Sequence, residues 1–157
     1  MEPLCKFNHI DIRACRLERI TGRSIHWIEA GRGPAIVLVH GSQAWAYAWR
    51  YQIESLATAD YRVIAPDLPG SGYSDVPNAA DYSISALSCF LGDLLDKLKI
   101  QQAVFAASSA GGLPVLDFAI RCPERVAALV LASTCGVPHD LPVLWRLVRW
   151  PMLGELM

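Results

Sequence analysis

The sequence lacks a long apolar run, an excess of one charge and an apolar leader. A membrane span takes about 20 apolar residues, whereas the longest run here covers residues 126–132. The formal net charge is -1, so no basic field is available to hold nucleic acid. The first twenty residues scatter charges where a secretory signal would be apolar. These absences predict a cytoplasmic protein with no membrane span and no nucleic-acid partner.

The cysteines form no metal-binding or disulfide pattern. There are five of them, an odd number, widely spaced and without a Cys-x-x-Cys pair. Such spacing is typical of reduced thiols that serve as small apolar side chains. We therefore expect no metal and no disulfide framework, and no other motif calls for an organic cofactor.

Strand-like and helix-like segments alternate along the 157 residues, a length that suits one domain. Continuous apolar runs such as "AIVLVHG" are typical of strands buried on both faces of a parallel sheet. The pattern predicts an α/β fold with a mostly parallel sheet flanked by helices. Strands are expected at 24–31, 35–41, 61–67, 103–107 and 125–133. Helices are expected at 46–59 and 113–121, and a third helix, capped by Asp81 or Ser83, should extend to Leu98.

Two adjacent serines lie where the strand at 103–107 should turn into the next helix. Only small residues fit two places before and after a serine on such a tight turn, which gives the pattern small-x-Ser-x-small. Ala107 and Gly111 satisfy it when Ser109 is central, and we therefore predict Ser109 as a nucleophile. Ser108 as the central residue is sterically possible, and a serine that merely caps the helix would fit the same residues.

Three further stretches, together with this turn, resemble the α/β-hydrolase superfamily. They are "LVHGSQAWAYAWR" (38–50), "VIAPDLPGSGYSD" (63–75) and "CPERVAALVLAS" (122–133). Their order and spacing are similar to those of the lid-bearing serine hydrolase branch. The departures are Ala107 in place of the usual glycine and Ser108 where many members have histidine, and neither removes a reacting atom. The resemblance implies an α/β-hydrolase core that is incomplete on its C-terminal side.

The resemblance also implies an oxyanion hole of backbone N–H groups. One donor is the N–H of Ala110, directly after the nucleophile and at a helix N-terminus. The second comes from Ser42, with Gln43 as the alternative. His40 is similar to the family's structural histidine. Trp45 is expected either to pack in the core or to line the substrate pocket.

The sequence offers few candidates for the base that Ser109 needs. Family order is serine, then acid, then histidine, and after Ser109 the one histidine is His139. By resemblance, residues 1–136 are the N-terminal part of the core, and 137–157 begin a lid. About 100 or more further residues would then carry the acid and histidine, since such domains often run to ~250. The chain is therefore expected to be truncated and inactive alone. A membrane-surface helix is the rival interpretation of the final segment, because Trp145, Trp150, Arg146 and Arg149 also fit that pattern.

A serine nucleophile narrows the chemistry. Relatives that open epoxides use an aspartate, whose alkyl ester can be hydrolysed, whereas a serine would leave an unreactive ether. Ser109 therefore points to a small apolar carboxylic ester, or to related acyl or carbon–carbon cleavage. A non-catalytic binding module on the same scaffold is the alternative. The uncharged strand at 126–131 would lie at an open sheet edge, which predicts self-association.

Overall fold

A computed structural model describes residues 15–76 and 82–136 as one mixed sheet with helices on both faces. The strand order is β1-β2-β4-β3-β5-β6. The strands are β1 (Arg16–Ile20), β2 (Arg23–Ala30), β3 (Ala35–Val39), β4 (Arg62–Pro66), β5 (Ala103–Ser108) and β6 (Val126–Ala132). The helices are α1 (Arg50–Thr58), α2 (Ile84–Lys97) and α3 (Gly112–Arg121), and short 3-10 turns cover Ala46–Trp49, Ser109–Gly111 and Pro123–Arg125.

The predicted α/β class with a mostly parallel sheet is confirmed. Strands β4, β3, β5 and β6 run parallel to one another, while β2 pairs antiparallel with both β1 and β4. Strand β5 is internal, between β3 and β6. Because parallel strands end together, the loops after β3, β4, β5 and β6 meet at one edge of the sheet, where open α/β folds form their sites.

Two apolar layers hold the helices against the sheet. Alternate residues of a strand point to opposite faces, and β3 shows this directly. Val37 and Val39 pack among α2 and α3 side chains, whereas Ile36 and Leu38 pack on the α1 side. All four are buried, which explains why the strand reads as a continuous apolar run rather than an alternating one.

The first predicted helix differs from the structure at its start. Residues Ala46–Trp49 form a 3-10 turn, and the α-helix begins only at Arg50. Trp45 precedes both, in an extended conformation. By contrast, Ser83, one of the two predicted caps of α2, is confirmed, because its side chain accepts a hydrogen bond from the Ala86 N–H.

Strand β6 forms one edge of the described sheet. Within residues 15–76 and 82–136 it pairs with β5 alone. Leu129 is 37% and Val130 56% exposed, so apolar side chains face solvent beside backbone groups that no other described strand pairs. None of the helices in the described part of the chain has the length and apolar character that crossing a membrane takes.

Candidate active site

Ser109 occupies a strained turn between β5 and α3. Its φ angle is +49°, in the left-handed region that non-glycine residues rarely adopt. Ser108, by contrast, ends β5 with φ -121° and ψ 146°, which is ordinary extended backbone. Ser109 is exposed, and no hydrogen bond joins its Oγ to another described residue. The sharp turn that presents a side chain above the sheet is therefore centred on Ser109 and not on Ser108.

Glycines let three chain segments converge on this turn. A Cβ on Gly41 would lie 2.8 Å from Ser109 Cβ and 3.2 Å from the Ser108 carbonyl oxygen. Cβ atoms on Gly111 and Gly112 would collide with the His40 carbonyl and with Thr134. The Cys135 N–H donates to the Ser109 carbonyl at 3.0 Å. The loop after β3 and the loop after β6 thus both lie against the Ser109 turn.

His40 is held as a neutral ring that supports the loop. Its Nε2 accepts a hydrogen bond from the Leu68 N–H at 3.0 Å. Nδ1 must then carry the proton, which it donates to the Gly41 carbonyl at 2.8 Å. The residue is 1% exposed, and burial lowers the pKa of His40 below the ordinary histidine value of 6.5. Both nitrogens are occupied, so His40 is placed to brace the loop and not to take a proton from Ser109.

Asp67 anchors the other end of the same loop. This carboxylate is fully buried. Its Oδ1 accepts from the Ala46 N–H at 2.7 Å, and its Oδ2 accepts from the Tyr73 N–H at 2.8 Å. His26 Nδ1 lies 2.9 Å from the same Oδ2. Together with the Leu68–His40 bond, these contacts tie loop 40–46 at both ends to residues 67–68.

The His26–Asp67 pair was not anticipated from the sequence. The two residues are 41 positions apart, and neither belongs to a local catalytic motif. A sequence signal existed nonetheless: each is a polar residue at or beside a buried strand, and buried polar groups need partners.

The predicted oxyanion donors lie around the Ser109 turn. Ala110 is in the 3-10 turn that leads into α3. Ser42 and Gln43 directly follow Gly41, which contacts Ser109, and both are exposed. Gln43 has a φ of +56°. Neither backbone N–H of this pair bonds to another described residue, so both remain candidate donors.

Trp45 belongs to an aromatic cluster beside this loop. Its ring stacks on Tyr47 with centroids 5.4 Å apart and meets the Tyr73 ring edge-on at 5.5 Å. Trp45 is half-buried. It therefore lies on the surface of the loop that carries Ser42, while Trp49 packs against the core on the α1 side.

Among the described residues no group is placed as a base for Ser109. His26 and His40 are both buried and engaged, as above. Asp117 pairs with Arg121 one helical turn away, at 2.9 Å. His139, Asp140 and Glu155 lie outside the described residues, as do the segment 137–157 and its predicted lid. No three His, Cys, Asp or Glu side chains in the described ranges are grouped to hold a metal ion.

Comparison with known proteins places the chain in a family. A family model described as "alpha/beta hydrolase fold" matches residues 34–155. The chain is 40% identical over 120 residues to bifunctional epoxide hydrolase 2 of Sus scrofa, covering 76% of this chain and 22% of that protein. It is 36% identical over 127 residues to epoxide hydrolase A of Mycobacterium tuberculosis, covering 79% and 39%.

Solved structures of hydrolases also superpose on this chain. An epoxide hydrolase from Vigna radiata superposes with a TM-score of 0.78 at 29% identity, covering 88% of this chain and 46% of that one. A variant of a meta-cleavage product hydrolase superposes with a TM-score of 0.76 at 33% identity, covering 81% and 48%. The chain thus spans less than half the length of each of these proteins.

Proposed function

Since the chain belongs to the α/β-hydrolase fold family, we propose that it carries the nucleophile and oxyanion loop of a serine hydrolase. The substrate would be a small apolar carboxylic ester or a related acyl compound. One observation carries the proposal: Ser109 is exposed with φ +49° on a strand-to-helix turn, directly against the loop that contains Gly41.

The reaction assigns a role to each of these groups. Ser109 Oγ attacks the ester carbonyl, and the carbonyl oxygen gains a negative charge. The backbone N–H of Ala110 and that of Ser42, or of Gln43, stabilise this oxyanion, and the N-terminal end of α3 adds a favourable dipole. Loss of one such donor costs about 3 kcal/mol in the activation barrier. Collapse of the intermediate expels the alcohol and leaves an acyl-serine, which water then hydrolyses.

The proposal needs a histidine and an acid from outside the described residues. Ser109 Oγ is a weak nucleophile until a base takes its proton. Removing the serine or the histidine of a triad costs on the order of a millionfold in kcat. Full activity therefore depends on residues beyond those placed here, and the described part alone is expected to be inactive.

Epoxide opening through Ser109 is chemically disfavoured, although three of the four proteins above are named for it. Attack of a hydroxyl on an epoxide carbon would join enzyme and substrate through an ether. An ether has no carbonyl for water to attack, so the enzyme would not turn over. Acyl transfer has no such dead end, because the acyl-serine is itself an ester.

Carbon–carbon bond hydrolysis is the second candidate. It too begins at a carbonyl carbon and suits a serine, and the similarity to a meta-cleavage product hydrolase supports keeping it beside ester hydrolysis. The two candidates separate by substrate: p-nitrophenyl acetate reports the first, and a vinylogous diketone reports the second.

The experiment compares the 157-residue chain with the product of its reading frame continued past Met157. We expect no ester hydrolysis above buffer for the first and measurable hydrolysis for the second. In the longer protein, Ser109→Ala abolishes turnover, while the matched variant Ser108→Ala retains it. A longer protein that stays active as Ser109→Ala would refute the assignment. A longer protein inactive toward both substrates would favour the non-catalytic binding module.

A further inference from the structure

A charged cleft lies on the β1 side of the sheet, away from Ser109. Its volume is about 290 Å³, and its walls come from β1, β2, β4 and the end of α2. Arg62 opens β4 on one wall, whereas Ser109 follows the last residue of β5. In the strand order, β3 lies between β5 and the three strands that line the cleft, so the cleft and the candidate active site lie on different parts of the sheet.

The cleft carries more positive than negative charge. Glu29, which is 6% exposed, accepts a hydrogen bond from Arg62 Nε at 2.8 Å. Glu18 pairs with Lys97 at 3.0 Å. Each carboxylate in the lining is therefore neutralised by its own cation.

Two lining cations remain. Arg16 and Lys99 line the same cleft, and neither makes an ion pair within residues 15–76 and 82–136. The described walls thus carry a net charge of two positive units, and the two cations without an ion pair are exposed.

Lys99 has an unfavourable backbone conformation, which the end of α2 imposes on it. Its φ is +55°, directly after α2 ends at Leu98. The Ile100 N–H donates to the Leu95 carbonyl at 2.8 Å and the Lys99 N–H to the Asp96 carbonyl at 3.1 Å. This is the helix-ending motif in which glycine normally occupies the left-handed position. At this position a lysine makes the folded state less stable than a glycine would. Its side chain lines the cleft.

From these observations we propose that the cleft binds a small organic dianion, a phosphate monoester or a dicarboxylate. Two unpaired cations match two negative charges. The volume is roughly ten times the ~30 Å³ of a water molecule, so a charged group with an attached organic part fits. The half-buried Leu98 side chain in the lining offers that part an apolar contact. This site is independent of the proposed hydrolysis at Ser109.

Isothermal titration of the full 157-residue chain tests the proposal with phenyl phosphate, succinate and, as a monoanion, acetate. We expect at least one dianion to bind at least tenfold more tightly than acetate, and its affinity to fall between 20 mM and 150 mM salt because the contacts are electrostatic. The tighter dianion identifies the charged group.

Lys99→Gly separates binding from folding. Glycine relieves the backbone strain, so the variant should have a raised Tm and yet bind the dianion about fivefold or more weakly. Arg16→Gln should weaken binding similarly, and Arg121→Gln, a cation on α3 away from the cleft, should leave it unchanged. Absence of heat with both dianions, acetate binding as tightly, or unchanged affinity in Lys99→Gly and Arg16→Gln would each overturn the proposal.

Discussion

Replacing Asp67 with asparagine should destabilise the protein although the two side chains have the same shape. The buried carboxylate accepts from two backbone N–H groups, those of Ala46 and Tyr73, through different oxygens. An asparagine amide has one oxygen and one NH₂ group, so in either orientation its NH₂ faces one of these N–H donors. One buried backbone donor is then left without an acceptor.

The magnitude follows from the number of bonds affected. An unsatisfied buried donor costs about 1–3 kcal/mol, and the remaining bonds lose the strength that a charged acceptor gives. The neutral amide is easier to bury than a carboxylate, which offsets part of the loss. The net decrease in the free energy of unfolding should be about 2 kcal/mol, or about 1 M in urea midpoint at an m-value near 2 kcal/mol/M.

Urea unfolding followed by tryptophan fluorescence measures this change. Asp96→Asn is the matched control, because Asp96 also accepts a side-chain hydrogen bond, from Arg125 at 2.7 Å, but its side chain is 69% exposed. Exposed pairs contribute about 0–1 kcal/mol, so this variant should unfold near the wild-type midpoint. Similar midpoints for Asp67→Asn and the wild type would show that the loop does not depend on the Asp67 network.

Three other outcomes are expected. Ser109→Gly should raise the free energy of unfolding by about 1 kcal/mol, since glycine adopts φ +49° freely. Ser108→Gly, in the extended strand, should lower it by about 0.5–1 kcal/mol. If urea unfolding shows a change of the same sign for both variants, the turn at Ser109 is not strained. Burial lowers the folded-state pKa of His40 below 6.5, so the unfolded chain binds the proton more readily. The resulting contribution to the free energy of unfolding is present above pH 6.5 and falls at lower pH by up to about 1.4 kcal/mol per pH unit. Urea unfolding at pH 7.5 and at pH 5.5 should show this loss in the wild type and a smaller loss in His40→Gln. An identical loss in both proteins would exclude His40 as its source. We also propose that the β6 edge drives self-association: in sedimentation velocity Val130→Lys should shift the chain toward monomer, whereas Ile120→Lys, at an 80% exposed position on α3, should not.

The sequence predicted the turn at Ser109 because that signal is local. An apolar strand, a small-residue pattern and a following helix all lie within about twenty residues, and periodicity describes each of them. The placement of Ser42 beside Ser109 came from the resemblance, since nothing in the spacing of residues 42 and 109 brings them together.

Strand β1 was missed because its pattern is that of an exposed edge. Its five residues include three charged side chains, and Leu17 is 55% exposed. The available signal was the turn that follows: Thr21 and Gly22 have φ angles of +47° and +84°. Two positive φ values in a two-residue loop are typical of a tight hairpin turn, and Thr-Gly is a weaker sequence signal for it than Asn-Gly.

The anchoring of loop 40–46 at residues 67–68 separates the frame of the site from its reactive group. None of the hydrogen bonds that position this loop involves the side chain at residue 109. The hydroxyl can therefore be exchanged for another functional group without moving the backbone donors around it. On such a scaffold, one substitution at the nucleophile position can change the reaction while the fold stays the same. Two proteins of similar sequence and fold can therefore have different nucleophiles.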